Sequence, residues 1–327
     1  MSALPLRSRV LDPFSLLRRS WAISPALTLF GLSMVVTFIL TTIGIFVDHR
    51  VVTGSPVWVK PAKFAISTAV YSFTLVWLMR FVQGRPRLVR VVTVVTTLAF
   101  VAEMMIIVLQ AARGTTSHFN FSTPLNATLY AIMAVSIIIL WCVTLLGAIL
   151  LLRQRFNSPV LAWTLRLGLL IALLGMALGF LMTAFPTPAQ QAMIAAGHMP
   201  TSYGAHSVGV TDGGPGIPFL GWSTVGGDLR IPHFFGLHGL QVLIVVGLLL
   251  LQFGKRWGLG QAHQLALVWM AAAGYLGLVA LLTWQALRGQ SVIAPDALTL
   301  QACAILIGGV ALACIVILSS ARRRSLH

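Results

Sequence analysis

Apolar residues occur in runs long enough to cross a bilayer, which takes about 20 residues of helix. Eight such runs alternate with short polar or charged connections. They cover approximately 25–47, 64–83, 88–112, 126–152, 160–184, 232–254, 263–287 and 298–320. The pattern predicts an all-α integral membrane protein with eight transmembrane helices, in which residues 1–327 form a single polytopic membrane domain.

Composition excludes a second, soluble domain of ordinary size. Hydrophobic types make up 58% of the chain and charged types 9%, whereas soluble domains carry about 25% charged residues. The net charge is +16, but the basic residues lie in short clusters between apolar runs, without the interleaved aromatic residues of a nucleic-acid surface. We therefore expect the lipid bilayer, and no nucleic acid, as the partner.

The basic residues also predict the orientation in the membrane. The chain has 22 lysines and arginines, and alternate connections divide them unevenly between the two sides. One side has six, namely Arg50, Lys60, Lys63, Arg113, Arg230 and Arg288. The other side has all the rest, including Arg7 and Arg9 before the first span. The positive-inside rule then places both termini in the cytoplasm of a cell membrane.

One long connection, residues 185–231, follows the fifth span on the outer side. It begins at Phe185 and is rich in glycine and proline, as in the Gly-Gly-Pro-Gly sequence at 213–216. Tyr203, Phe219 and Trp222 make it too apolar for a freely solvated linker. Long loops are usually functional or disordered, and we expect an ordered cap over the outer helix ends. An ordinary connector is the alternative.

A weak internal repeat divides the chain into candidate halves, 25–152 and 160–320. Residues 110–114 read Gln-Ala-Ala-Arg-Gly and residues 285–289 read Gln-Ala-Leu-Arg-Gly, at the ends of the third and seventh spans. Because each half has an even number of helices, the halves would be parallel repeats. Their polar residues differ, so the pattern predicts a composite site rather than two equal ones.

Two halves of four helices are also the layout of the haem A synthases, which the chain resembles in layout alone. The family's paired histidines at equivalent places of both halves are missing. Its Glu-x-x-x-His pattern is absent at Glu103. The resemblance therefore assigns no role to any residue of this chain.

Glu103 is the clearest candidate for chemistry, because a charge at the centre of a span costs about 2.5 to 3.5 kcal/mol and is usually functional. Thr96, Glu103 and Gln110 are spaced by seven residues, which returns to nearly the same face of a helix. They predict a polar stripe directed into the bundle, which Arg113 continues at the outer surface. The alternative is a neutral Glu103 that only holds helices together.

A second polar segment leads from the long loop into the sixth span and contains Asp228, Arg230, His233, His238 and Gln241. The proline at 232 suits the first turn of a helix. His238 and Gln241 are three residues apart and share a helix face. His233 lies about 140° away from His238 on a regular helix, so the two cannot bind one ion as an i, i+4 pair does.

The candidate site combines these two regions, with Glu103, His238 and Gln241 as catalytic residues. The substrate-binding residues expected at its mouth are Lys60, Lys63, Gln110, Arg113, His118, Asn120, Asp228 and Arg230. His233, His238 and Glu103 are the candidate ligands of a metal ion or haem, because imidazole is the commonest metal ligand. No pair of residues has the spacing of a zinc motif.

Three functions are compatible with this pattern. The first is a metal- or haem-dependent membrane enzyme, similar to an oxidoreductase, acting on a lipid-soluble or external substrate. The second is an anion or proton-coupled transporter, opposed by the few polar residues in the inner halves of the spans. The third is an assembly factor without catalysis. A lipid-soluble or anionic small molecule is the expected ligand, and no oligomeric state is indicated.

Overall fold

The computed structural model describes residues 12–184 and 186–324, so Arg7, Arg9 and Phe185 of the sequence predictions lie outside the described residues. The protein is 71% helical with almost no sheet. Within the described ranges, eight helices are long and apolar enough to cross a membrane. The predictions of an all-α class, of a multi-pass membrane protein and of eight spans are confirmed.

The eight long helices have bounds close to those predicted. They are α2 (Pro25–Val47), α3 (Val59–Met79), α4 (Pro86–Ala112), α5 (Pro124–Leu152), α6 (Pro159–Leu178), α9 (Arg230–Phe253), α10 (Gln261–Leu287) and α11 (Ala297–Arg324). Shorter elements connect or precede them. These are α1 (Pro13–Ile23), α7 (Leu181–Ala184), α8 (Pro188–Ala195), β1 (Val51–Val52), β2 (Ser55–Pro56), β3 (Ser207–Val208) and β4 (Gly227–Asp228).

Several helices begin at a proline that follows a capping residue. Proline suits the first helical position because it lacks an N–H that would have no partner there. Asp12 accepts hydrogen bonds from the amides of Phe14 and Ser15 at the start of α1, and Ser24 accepts one from Leu27 at the start of α2. Helix α1 was not predicted, although the Asp12-Pro13 pair is a standard helix-start signal.

The chain forms two compact units. Unit 1 comprises the described residues up to Arg50, together with Pro56–Thr115 and Ala131–Leu150. It holds α1 to α4 and the middle of α5. Its core contains large apolar side chains of α2, α3 and α4, which include Leu27, Phe30, Val76, Val92, Phe100 and Ile107.

Unit 2 comprises Val51–Ser55, Thr116–Tyr130 and the described residues from Leu151 onward. Its closest helix contact joins α6 to α9, where Gly175 lies against Gly236. A methyl group at Gly175 would overlap the backbone of Gly236 and of Leu237. The two glycines therefore allow the helix backbones to approach each other, as small residues do in membrane helix interfaces.

The long connection of unit 2 has its own local structure. Helix α8 begins with a capping box in which Thr187 and Gln190 bond each other's backbone amides. Strands β3 and β4 pair antiparallel, with Ser207 opposite Asp228. The Ser291 hydroxyl, after α10, donates to the Ser223 carbonyl at 3.1 Å. That this connection caps the outer ends of the helices stays a prediction, as do the internal repeat and the candidate halves.

Candidate functional site

The polar stripe of α4 is buried. Thr96 and Gln110 are fully buried and Glu103 is 2% exposed, so the seven-residue spacing correctly predicted an inward-facing stripe. The Arg113 guanidinium, at the end of the helix, donates from Nη1 to Gln110 Oε1 at 2.5 Å. Arg113 and Gln110 therefore form one contact, whereas Glu103 lies about two turns deeper.

Glu103 has an unusual environment for a buried acid. Neither of its carboxyl oxygens has a hydrogen-bond partner among the described residues. Lys60 is the basic residue whose charge acts on it. Most buried polar groups in proteins are hydrogen-bonded, and an exception calls for a specific explanation. Glu103 is also the only glutamate in the sequence.

Lys60 and Lys63 lie inside α3, not before it as predicted. Helix α3 begins at Val59, five residues earlier than the apolar run indicated. The two lysines lower the local hydropathy, although Pro61 between them suits a first helical turn. Both lysines are half-buried, and Lys60 Nζ lies 6.0 Å from the centre of the Phe64 ring.

An ion pair joins the end of α2 to the end of α4 in unit 1. Arg50 donates to both carboxylate oxygens of Asp48, at 2.6 to 3.1 Å, and from Nη1 to the Ala112 carbonyl at 3.0 Å. Trp58 Nε1 donates to Asp48 at 2.8 Å. The hydrogen bonds from Arg50, foremost, and from Trp58 hold the pKa of Asp48 below its usual range.

Asp228 and Arg230, two predicted mouth residues, bind each other in unit 2. Asp228 is 1% exposed and accepts from Arg230 Nε at 2.9 Å and from Nη2 at 2.6 Å. The amides of Arg230 and Ser223 donate to the same carboxylate at 3.0 and 2.8 Å. Both carboxylate oxygens of this buried acid thus accept hydrogen bonds, and the adjacent Asp228 carboxylate compensates the Arg230 charge.

His233 makes a structural contact within unit 2. Its Nδ1 lies 2.7 Å from the Gly175 carbonyl oxygen, which can only accept, so Nδ1 carries the hydrogen. A methyl group at Gly179 would come within 2.9 Å of the His233 ring. The absence of a side chain at Gly179, directly after α6, therefore makes room for the imidazole.

His238 and Gln241 meet on α9, as their spacing predicted. Gln241 lies near enough to His238 to act on its ring. The His238 ring lies 4.4 Å from the ring of Phe234, and Phe234 lies 5.8 Å from Trp222 of the long connection. His238 is half-buried, so this polar pair sits in aromatic surroundings.

His118 and Asn120 belong to the segment of unit 2 that precedes α5. Asn120 donates to the Thr116 carbonyl at 3.0 Å and accepts from the Ser122 amide and hydroxyl at 3.1 and 2.7 Å. His118 Nδ1 is 3.0 Å from the Ser117 hydroxyl. These bonds shape the turn before α5, so Asn120 is engaged by its own segment.

Comparison with known proteins gives no match. No family model, curated protein or solved structure is similar to the chain.

Among the residues that the structure describes, no group of three or more His, Cys, Asp or Glu side chains could hold a metal ion. The candidate ligands Glu103, His233 and His238 receive no support as a metal centre, and the metal-binding prediction is not borne out. His233 already donates from Nδ1 to a backbone carbonyl. Glu103 belongs to unit 1 and the two histidines to unit 2.

The sequence did not predict that two buried hydroxyl groups of unit 1 would lack a hydrogen bond. The hydroxyls of Thr28 on α2 and of Thr96 on α4 are buried and have no hydrogen-bond partner among the described residues. Thr96 was predicted to face inward, but Thr28 was not singled out. These two threonines differ from their neighbours only in that their hydroxyls do not donate to the carbonyl four residues earlier. The sequence gives no signal of that difference.

Proposed function

We propose that this protein is a proton-coupled membrane transporter in which Glu103 binds and releases the coupled proton. The observation that carries the proposal is the burial of Glu103 in a transmembrane helix with no hydrogen-bond partner for either oxygen among the described residues. A charged carboxylate in such a place is strongly disfavoured. The resting group is therefore the neutral acid.

A neutral buried acid suits coupling because its charge state depends on what reaches it. It releases its proton only when water, a cation or a change of packing stabilises the carboxylate. Lys60, whose charge acts on Glu103, gives the carboxylate one stabilising partner. Proton relays in transporters are commonly built from such intramembrane acids.

An anion is the cargo that the basic residues favour. Lys60 and Lys63 lie within the first five residues of α3, and Arg113 lies at the end of α4. These residues put positive charge at the same end of unit 1 as Glu103, which lies nine residues before the last residue of α4. Arg230 contributes less to this attraction, since Asp228 compensates its charge.

The uneven distribution of basic residues supports an orientation with both termini in the cytoplasm and a location in the cell membrane. In that orientation the end of unit 1 with Lys60, Lys63 and Arg113 faces outward. The cargo and the proton would then enter unit 1 from outside.

The test uses purified protein in liposomes that contain a pH-sensitive dye. Gradients of chloride, phosphate, acetate and succinate are imposed in turn, and the change in lumen pH is recorded. We expect one of these anions to move protons with wild-type protein, and Glu103→Gln to abolish that movement. Met105→Ala is the matched control, since Met105 is 68% exposed on the same helix. Equal proton movement by Glu103→Gln, or none with any anion, overturns the proposal.

A second measurement needs no substrate. Lipid-soluble carbodiimides react with protonated carboxyl groups, and the adduct is located by mass spectrometry of peptides. We expect Glu103 to be labelled in membranes, with less labelling as pH rises. Labelling of Glu103 that stays the same from acidic to alkaline pH would contradict an acid that binds and releases a proton.

A membrane enzyme is the second candidate, favoured by the His238–Gln241 pair in aromatic surroundings on α9. Its substrate would be lipid-soluble or external, and a haem or metal ion would be its cofactor. Purified protein would then show a Soret band or stoichiometric metal that His238→Ala removes. A non-catalytic assembly factor, in contrast, requires that Glu103→Gln and His238→Ala leave every activity intact.

A further inference from the structure

Two buried threonines of unit 1 differ from their neighbours. Thr93 and Thr97 each donate to the carbonyl four residues earlier, at 3.0 and 2.8 Å, which is the usual bond of a helical threonine. Thr28 and Thr96 are fully buried, and neither hydroxyl has a hydrogen-bond partner among the described residues. Together with Glu103, they are buried polar side chains left unsatisfied by their own unit.

A pair of stacked phenyl rings lies at a level between Glu103 and these hydroxyls. Phe30 of α2 and Phe100 of α4 stack with ring centres 5.6 Å apart and planes at 19°. At 1.5 Å per residue, Thr28 lies about 3 Å and Thr96 about 6 Å to one side of this stack, whereas Glu103 lies about 4.5 Å to the other. Phe100 shares a helix face with both Thr96 and Glu103, at four and three residues.

A third helix holds Phe100 in place. Tyr71 of α3 meets the Phe100 ring edge-on, with centres 5.2 Å apart. The Tyr71 hydroxyl is 2.7 Å from the Thr144 hydroxyl, which itself donates to the Leu140 carbonyl at 2.8 Å. Phe100 is therefore positioned by contacts from two sides, and its rotation would require Tyr71 or Phe30 to move.

We propose that Phe30 and Phe100 form a gate in a proton path that runs through unit 1 from Glu103 to the hydroxyls of Thr96 and Thr28. The inference rests on the proposed role of Glu103 and adds the remainder of its path. The two threonine hydroxyls are polar groups in the half of unit 1 where α2 and α4 begin. The sequence pattern indicates few polar residues in that half.

Phenyl rings neither donate nor accept protons, so a proton passes their level only along water admitted between them. A bridging water needs two to four polar partners, and the unsatisfied Glu103, Thr96 and Thr28 groups provide them on both sides. Separation of the rings therefore completes a hydrogen-bonded chain, and stacking interrupts it.

The transfer itself balances without any further reactant. The O–H bond of the Glu103 carboxyl breaks and its proton passes to the bridging water. Each threonine hydroxyl accepts a proton and releases its own, so it ends unchanged, and the proton leaves Thr28 to water at the exposed start of α2. The Glu103 carboxylate then takes up a proton that arrives from the end of unit 1 where Lys60 and Arg113 lie, and the neutral acid is restored.

The experiment measures proton leak without cargo. Liposomes containing the full chain and a lumen pH dye are given a potassium diffusion potential with valinomycin, so that the proton alone is the probe. We expect a slow leak for wild type and an increase of about tenfold or more for Phe100→Ala, which corresponds to a barrier lowered by about 1.4 kcal/mol. Leu98→Ala is the control, since this side chain of α4 is 65% exposed.

Second variants test the path rather than the opening. In the Phe100→Ala background, Thr96→Val is expected to return the leak toward the wild-type level, and Thr97→Val is expected to leave it high. Thr97 is the matched control because its hydroxyl is already bonded to the Thr93 carbonyl. Phe100→Leu, which keeps most of the volume but removes the flat ring, repeats the test should the alanine variant unfold.

The outcomes separate the gate from the transporter proposal. If Phe100→Ala and Phe100→Leu fold and leak protons no faster than the wild type, the gate is overturned. An equal effect of Thr96→Val and Thr97→Val on the leak also overturns it. In either case, loss of anion-driven proton movement in Glu103→Gln would leave the transporter proposal intact. Leak through an opened gate that Glu103→Gln does not reduce overturns the path through Glu103.

Discussion

Each of the two units contains a carboxyl group buried to a similar degree, and the two groups have opposite surroundings. Asp228 in unit 2 is 1% exposed and Glu103 in unit 1 is 2% exposed. Asp228 accepts four hydrogen bonds, two of them from the Arg230 guanidinium. Glu103 accepts none from the described residues. Burial alone therefore does not distinguish the two acids, whereas the presence or absence of hydrogen-bond donors does.

The difference follows from where each acid lies along the chain. Asp228 closes strand β4, directly before α9, where backbone amides that are not used by a helix are available as donors. Glu103 lies inside α4, where every nearby amide is already bonded along the helix. A buried acid within a helix can be satisfied only by side chains of other elements, and none of the described side chains of unit 1 is hydrogen-bonded to Glu103.

The largest effect is expected for Asp228→Ala. It leaves the half-buried Arg230 guanidinium and the Ser223 amide without their acceptor, and breaking a buried ion pair costs about 3 to 5 kcal/mol. Thermal unfolding in detergent measures the loss. Asp296→Ala is the control, because its ion pair with Arg288 is more exposed. Similar unfolding midpoints for both variants would contradict a structural role of Asp228.

A smaller loss of stability is expected for Gly175→Ala. The added methyl group would overlap the backbone of Gly236, and overpacking of this kind costs about 1 to 3 kcal/mol. Gly308→Ala is the matched control, because a methyl group at Gly308 would have no heavy atom within 4 Å. The same unfolding measurement should separate the two, and equal stability would contradict close packing of α6 on α9.

Glu103→Gln is expected to change the free energy of unfolding by no more than about 1 kcal/mol, since the amide replaces a neutral acid that has lost no partner. Its effect should fall on proton binding, seen as loss of the carbodiimide adduct. A loss of stability as large as that of Asp228→Ala would show that Glu103 has a structural partner, and the contrast between the two acids would fail.

The membrane helices could be predicted because apolar residues contribute to insertion almost independently of their neighbours. The start of α3 was misplaced because Lys60 and Lys63 lie within its first five residues, where the number of apolar residues falls although the helix has already begun. The inward face of Glu103 followed from helical period alone. The bonded pair Asp228–Arg230 did not, because adjacent charges in a loop look the same whether they bind a ligand or each other.

The sequence also could not predict that the hydroxyls of Thr28 and Thr96 have no hydrogen-bond partner among the described residues. Thr68 of unit 1 bonds the carbonyl four residues earlier at 2.8 Å, and nothing in the sequence distinguishes the threonines that do so from those that do not. The choice depends on side-chain rotamers, which are determined by packing against other helices. Unsatisfied groups are a property of tertiary structure, although the burial that makes them costly follows from hydropathy.

The smallest effect concerns the pH dependence of stability in unit 2. Asp212 accepts from the amide and ring of His206 at 3.0 and 2.8 Å and from the Ser207 amide at 2.8 Å. Burial would raise the pKa of Asp212, but the hydrogen bonds and charge of His206 outweigh it and hold this pKa below its usual range.

A lowered pKa in the folded state makes this carboxylate stabilising above the unfolded value of about 3.9, and that stability is lost as pH falls through the folded value. Wild-type protein should thus lose stability in acid, and Asp212→Asn, already uncharged, should lose less of it between neutral and acidic pH. Unfolding midpoints at both pH values measure the difference, with Thr211→Ala as control. If Asp212→Asn lost as much stability in acid as the wild type does, the loss would have to come from other acidic residues.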